Sequence, residues 1–371
     1  MSALREVSYA EFGRRLRARL EERRVLTSAS MELTDRCNLT CAHCYIRRTS
    51  GSGAGAGADA GEDAGDDAGD EMTAARAKDI IDQLADHGAL WLLLTGGEPL
   101  SRPDFWEIYE HAKRRGMLTV VFTNGTLIDE PVADRLAALP PFAIEITLYG
   151  ATAPTYERVT GVGGSHAKCM RGINLLHERG IALKLKTIPM TLNRHELDDM
   201  KAIAKRLGVS FRFDPLINCR VDGGDGPAKL RLSPEEIVAI DREDEERTDA
   251  LREFCERYDH PIGDPNDVYV CGAGLRTCHI DWRGRASVCM LARRPRFDLA
   301  TRSFDEIWNV EFPRVRARKR TRPSPCGTCE IRALCGQCPG WSQLEHGDDE
   351  TPVEFLCDVA HRRAGQLAAS R

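Results

Sequence analysis

The chain has 371 residues, 42% of them hydrophobic and 29% charged, which is enough apolar material for a sizeable core in one large or two smaller domains. Its net charge of −5 is local in origin: residues 49–71, TSGSGAGAGADAGEDAGDDAGDE, hold seven acidic and no basic residues, and the remainder offers no basic face for nucleic acid. The first thirty residues are charged throughout and lack the apolar core of a secretory signal, and no run of about 18 apolar residues follows. Neither export nor a membrane span is expected, and the expected location is cytoplasmic.

Residues 1–29 are read as an N-terminal helical extension, and the Gly/Ala/Asp tract at 49–71 as a disordered insertion that buries too little to offset its ordering entropy. It is a tolerated linker rather than an acidic docking tail. Short apolar runs then alternate with amphipathic ones. Strands are predicted at 30–34 (SMELT), 89–95 (ALWLLLT), 117–123 (MLTVVFT), 142–149 (FAIEITLY), 181–189 (IALKLKTIP) and 209–215 (VSFRFDP). Helices are predicted between them around 73–87, 103–115, 130–138, 166–179 and 194–207.

This alternation implies parallel β-α units with right-handed crossovers. Six units are too few for a closed eight-stranded barrel, so the fold class is α/β, a partial (β/α)6 TIM-like barrel over residues 30–232. Beyond it, residues 233–268 read as a charged helical linker that starts at a Ser233 cap with Pro234 in the first turn. Residues 278–290, CHIDWRGRASVCM, read as a hairpin turning at Arg283 and Gly284, and a last helix is expected near 354–369.

Fourteen cysteines in a chain without an export signal favour metal ligation or catalysis over a disulfide framework. Cys37, Cys41 and Cys44 form one group, eight from Cys271 to Cys357 form another, and Cys169, Cys219 and Cys255 read as small apolar core residues. The first group, C-x3-C-x2-C, follows the first strand directly, and TGGEPL, TNG and TLYG follow the second, third and fourth. Chemistry gathers at the C-terminal ends of strands in parallel barrels, so these loops converge on one rim. Three neighbouring cysteines fit part of a zinc site, with a distant ligand or with His43 as an awkwardly placed fourth, or a redox pair plus one. They also fit a 4Fe-4S cluster, in which three thiolates leave one iron open.

C-x3-C-x2-C after strand one, with TGGEP after strand two, resembles the radical S-adenosylmethionine (SAM) superfamily over roughly residues 30–218. The resemblance implies a catalytic 4Fe-4S cluster held by Cys37, Cys41 and Cys44, whose open iron chelates SAM. One electron then cleaves the sulfonium bond to methionine and a 5′-deoxyadenosyl radical, which abstracts hydrogen from the substrate. It further implies that Tyr45 lies beside the adenine. Gly96, Gly97 and Glu98 would form the loop whose carbonyl or carboxylate holds the methionine ammonium, although such a loop also reads as a tight turn. Thr147 would contact the ribose or the carboxylate, and Arg158 in YERVTG would pair the carboxylate. Both also read as ordinary capping or surface residues.

The eight later cysteines resemble the SPASM extension of the same superfamily, which places a cysteine-rich domain at residues 269–371. The resemblance implies two auxiliary 4Fe-4S clusters, one on Cys271, Cys278, Cys289 and Cys338, the other on Cys326, Cys329, Cys335 and Cys357. The chain has two residues between Cys335 and Cys338 where the family commonly has three, which leaves a zinc knuckle on Cys326, Cys329, Cys335 and Cys338 as the alternative. Fully ligated auxiliary clusters imply electron transfer and a net oxidation or crosslink.

By the same resemblance the expected substrate is a peptide, in particular a ribosomally made precursor. The alternatives are a small molecule such as a tetrapyrrole or sugar, and a non-catalytic iron–sulfur or zinc scaffold. Met290 after Cys289, in place of an aspartate base, counts against formylglycine formation. The thirty-six residues before Cys37 are too few for a winged-helix recognition domain, so a separate peptide-recognition protein is expected, together with an electron donor such as flavodoxin or ferredoxin.

Overall fold

The computed structural model describes residues 24–46, 70–257 and 264–369. Residues 1–23 of the helical extension expected over 1–29, residues 49–69 of the acidic tract and the Cys255 side chain lie outside the described residues, and Ser28 and Ala29 belong to the first strand instead of that extension. Six strands pair in parallel and in chain order: β1 (Ser28–Glu32), β2 (Trp91–Thr95), β3 (Leu118–Thr123), β4 (Ala143–Thr147), β5 (Leu183–Thr187) and β6 (Ser210–Phe213). The helices α1 (Ala74–Asp86), α2 (Phe105–Arg114), α3 (Glu130–Ala138), α4 (Ala153–Thr160), α5 (Ser165–Glu178) and α6 (Leu197–Leu207) run between them. This is the expected partial barrel. β6 is at one edge of the sheet, and β1 gives its second edge to a later strand, so the barrel stays open.

Local chemistry sets the boundaries. Thr73 caps α1 by accepting from Arg76 N, and Asp129 caps α3 by accepting from Val132 N. α4 had no counterpart in the predicted elements. It is only eight residues long, but Pro154 in its first turn and left-handed Gly161 at its end were the available signals. The outer faces of the strands supply Leu92, Leu94, Val121, Ile146 and Leu185, which share one core with Ile80, Leu84, Ile108 and Leu176 of the helices. Successive strand residues point to opposite faces, so β5, LKLKT, sends Leu183 and Leu185 to that core and its lysines to the barrel interior.

The charged stretch after Ser233 forms two helices rather than the single one expected. α7 (Pro234–Glu243) begins with a full capping box between Ser233 and Glu236, and α8 (Glu245–Arg257) follows after extended Asp244. Asp244 breaks the run because its carboxylate accepts from Arg247 N and so caps the second helix. The hairpin is formed by β7 (Thr277–Ile280) and β8 (Arg285–Ser287), with Asp281 accepting from Arg283 N and Arg285 N and Gly284 at φ +82°. β9 (Phe297–Asp298) adds a third antiparallel strand. β7 also pairs in parallel with β1, so the cysteine-rich region continues the barrel sheet in the order β6-β5-β4-β3-β2-β1-β7-β8-β9. The last helix, α10 (Glu354–Ala369), is fixed to α7 where Arg363 donates to Asp241 at 2.7 Å, and α9 (Pro339–His346) precedes it.

A buried ion pair crosses the same seam. Glu32 at the end of β1 is fully buried and accepts from both terminal nitrogens of Arg293, and His279 on β7 lies 3.7 Å away. Burial pushes the Glu32 carboxyl up, but Arg293 and His279 outweigh it and hold it at about 2. That lies below the ordinary value of about 4.3, so the stability it contributes is intact above pH ~4 and lost as pH falls toward 2. Replacing Arg293 with Met strands a buried carboxylate and is expected to cost about 3–5 kcal/mol in anaerobic urea denaturation. Replacing Glu32 with Met as well should recover most of that loss.

Candidate active site

The first cysteine loop is held from two sides. Gly97 N donates to Thr34 O at 2.7 Å and Glu98 N to Arg36 O at 2.8 Å, which brings the loop after β2 directly against the chain leaving β1. A Cβ at Gly96 would stand 2.3 Å from Thr34 O and one at Gly97 2.2 Å from Arg36 O, so both glycines are required by backbone contact. On the other side Thr40 N donates to Thr160 O at 2.8 Å and Ala42 N to Val159 O at 2.9 Å. These are terminal carbonyls of α4 with no partner inside their own helix, so the helix missing from the predicted elements is a platform for the cysteines.

Within the loop, Cys44 N donates to Cys41 O at 3.1 Å, and Leu39 N points to Cys37 Sγ at 3.4 Å. Asn124, after β3, donates to Asn38 Oδ1 at 2.9 Å and approaches Cys37 Sγ at 3.8 Å. Cys37, Cys41 and Cys44 all open onto a single cavity of about 260 Å³, lined also by Tyr45, Gly96, Gly97, Thr147 and Tyr149. Seven of the residues singled out from sequence around the first site therefore meet at one place.

Glu98 places its side chain between the loops after β2 and β3. It is fully buried, and its carboxylate accepts from Leu100 N at 3.0 Å, Thr123 Oγ1 at 2.8 Å and Asn124 N at 2.8 Å. Burial raises its pKa to about 7 against the pull of these donors. Its side chain is used to join the β2 and β3 loops, which leaves the backbone of the Gly96–Gly97 turn as the part facing the cavity. Arg158 is exposed and donates to Leu192 O at 2.7 Å, away from the cavity lining. His43 lines the cavity 4.8 Å from the Tyr149 ring, and burial lowers its pKa to about 4, so it is neutral.

The residue types fit the group that the motif implies. Three thiolate donors face one cavity, they are soft ligands suited to iron–sulfur chemistry, and beside them His43 Nδ1 is buried without a protein partner. Sequence reasoning did not single out Asn38, Lys186, Leu216, Ile217 or Asn218. Lys186 and the three residues that follow Pro215 line the cavity, and Met290 reaches it from the cysteine-rich region.

The later cysteines gather at a second cavity of about 130 Å³, lined by Cys271, Cys326, Cys329, Cys335, Cys338 and Cys357. Burial raises the Cys335 thiol to about 11, and its cysteine neighbours are Cys357, Cys326 and Cys329. Burial likewise raises Cys338 to about 11, but its cysteine neighbours are Cys289 and Cys271. Cys278 is buried on β7 and its thiol is pushed far up by desolvation. Cys335 and Cys338, with two residues between them, thus line one cavity but interact most with different cysteines.

An open parallel barrel with three cysteines and a Gly-Gly loop at the C-terminal rim of its strands, followed by a second cysteine cluster, defines a radical SAM enzyme with an iron–sulfur extension. The model of the Radical SAM superfamily matches residues 31–207, and that of the SPASM iron–sulfur cluster-binding domain matches residues 271–330. The mycofactocin maturase MftC of Mycobacterium ulcerans is 31% identical over 319 residues, covering 83% of this chain and 81% of that protein. The AdoMet-dependent heme synthase of Methanosarcina barkeri is 27% identical over 340 residues, covering 85% and 92%. Among solved structures, Streptococcus suis SuiB bound to S-adenosylmethionine shares the fold with a TM-score of 0.64 at 14% identity, over 96% of this chain and 82% of that one. The chain belongs to the radical SAM superfamily and carries a SPASM domain. Its cofactors include SAM and a 4Fe-4S cluster, with auxiliary iron–sulfur clusters in the extension.

Gly97→Ala forces a Cβ into Arg36 O and is expected to lower the iron content of the reconstituted protein by about four irons per chain, one cluster, and 5′-deoxyadenosine formation at least about tenfold. Glu98→Gln turns an amide donor toward either Asn124 N or Leu100 N and is expected to cost about 1–3 kcal/mol of stability by chemical denaturation.

Proposed function

We infer that the enzyme oxidatively modifies or crosslinks a peptide, in particular a ribosomally made precursor. The observation that carries the reading is the division of the C-terminal cysteines. Cys335 groups with Cys326, Cys329 and Cys357, and Cys338 with Cys271 and Cys289. With Cys278 as the fourth ligand of the second set, two complete quartets would leave no open iron for a substrate, which would suit clusters that take up an electron from a substrate radical. The similarity to a maturase across 83% of the chain supports the peptide. Similarity to a heme synthase across 92% of that enzyme supports a second reading, a tetrapyrrole substrate.

In this proposal Cys37, Cys41 and Cys44 hold the catalytic cluster, and the Gly96–Gly97 backbone, Thr147 and the chain at Tyr45 receive SAM. Bound there, the cluster and SAM supply reductive cleavage and a hydrogen-abstracting radical. The protein supplies the position of the cysteine loop, fixed by α4 and the Gly-Gly turn. It also supplies a cavity wall of His43, Tyr149, Ile188 and Met290 that keeps water from the reacting atoms. Arg158 reaches a carboxylate in this site only by leaving Leu192 O. A flavodoxin or ferredoxin would deliver the electron, and a separate protein would present the peptide.

Iron and sulfide analysis of anaerobically purified protein should give about twelve irons per chain, and about four irons with bound zinc would replace the twin-cluster proposal with the knuckle. Cys37→Ala should abolish 5′-deoxyadenosine formation. Mass spectrometry of reactions with short peptides encoded beside this gene should show a loss of about 2 Da per crosslink, whereas turnover of coproporphyrin alone would establish the tetrapyrrole reading.

A further inference from the structure

The barrel interior carries a charge arrangement that the cluster and SAM leave unused. Lys186 on β5 has 16% of its side chain exposed and lines the same cavity as the three cysteines. Its Nζ lies 3.5 Å from Glu145 Oε2 on β4 and 2.9 Å from the centre of the Phe122 ring on β3. Arg212 on β6 donates to that same Glu145 oxygen at 2.6 Å. Two cations share one carboxylate, and of these three residues it is Lys186 that lines the cavity, together with Asp35 of the cysteine loop. Burial pulls the Lys186 amine down to about 7, partly offset by Glu145 and reinforced by Arg212, so a second carboxylate entering the cavity would restore its full charge.

We propose that Lys186, backed by Arg212 across Glu145, is a substrate-positioning subsite that takes a carboxylate of the substrate. Two sources of carboxylate exist in this chamber, the substrate and the methionine end of SAM. The fold favours the substrate. The amino and carboxylate groups of SAM share one carbon, and the reading above anchors the amino group at Gly96–Gly97 after β2. Lys186 is three strands from that anchor in the sheet order, on the far side of Thr147, its register partner on β4. Beyond it lie the edge strand β6 and the Leu216–Asn218 segment that follows, which also lines the cavity. The inference rests on this cavity being the reaction chamber and holds for a peptide carboxylate or a tetrapyrrole propionate alike.

The test uses the full chain, anaerobically reconstituted and loaded with SAM, and glutarate as the carboxylate probe. Brief acetylation with acetic anhydride, mapped by mass spectrometry, reads the accessibility of Lys186 against that of Lys229, whose side chain is 71% exposed. Glutarate should slow labelling of Lys186 by about fivefold or more at a few times its dissociation constant and leave Lys229 unchanged, whereas dimethyl glutarate should protect neither. Unchanged labelling of Lys186 in up to about 50 mM glutarate would overturn the subsite. Lys186→Met should keep the affinity for SAM within about threefold of wild type, and a loss of tenfold or more would assign the carboxylate to the cofactor and overturn the proposal. None of these readouts depends on which peptide or tetrapyrrole is turned over, so the subsite and the peptide reading fail separately.

Discussion

A carboxylate stays ionised in a protein interior only where cations or hydrogen-bond donors offset its lost hydration, and Glu32 meets that constraint with a cation 261 positions away. Glu32 ends the first strand just before the cysteine loop, and Arg293 follows the Cys289 turn of the extension. Their pairing fixes the two cysteine-rich regions to each other, with His279 and the parallel β1–β7 ladder on the same seam. Tyr45, directly after Cys44, lies in the field of both charges, and burial pushes its phenol well above the ordinary range. Met290 reaches the first cavity because Arg293, which also donates to Met290 O at 2.7 Å, holds that turn in place.

The active-site loop itself depends on contacts between backbones. Gly96 and Gly97 pack where any side chain would collide with Thr34 or Arg36, and the free carbonyls of α4 take the amides of Thr40 and Ala42. Glu98, whose residue type suggests a ligand contact, is used to hold the loops after β2 and β3 together. The first cysteine loop is therefore framed by backbone contacts with the loop after β2 and with α4, so its position comes from those elements rather than from the loop's own sequence.

Sheets buried on both faces usually read as continuous apolar runs, but the strands here alternate because the open barrel keeps a polar interior. Glu145, Lys184, Lys186 and Arg212 occupy that inner face across three neighbouring strands. Their outward neighbours, such as Ile144, Ile146 and Leu185, close the core against the helices. The same period of two that builds the core thus delivers charge to the chamber.

The order of the six strands, the cysteine spacing and the Gly-Gly motif were legible in the sequence, because periodicity and short motifs are properties of adjacent residues. The Ser233 cap, the Gly284 turn and the grouping of Cys37, Cys41 and Cys44 at one rim belong to the same class. What lay beyond reach depended on residues far apart in the chain. The short α4 carried weak signals, and its role became visible only through the amides it receives. Arg158 and Glu98 matched their motifs by position, yet side-chain direction is decided by packing, which turned one outward and the other into the core. Sequence by itself determined the chemistry this chain carries, since ligand type and spacing are local. Only the tertiary structure decided which cysteines line the second cavity and where the Lys186–Glu145 pair lies, because both follow from which strands and turns become neighbours.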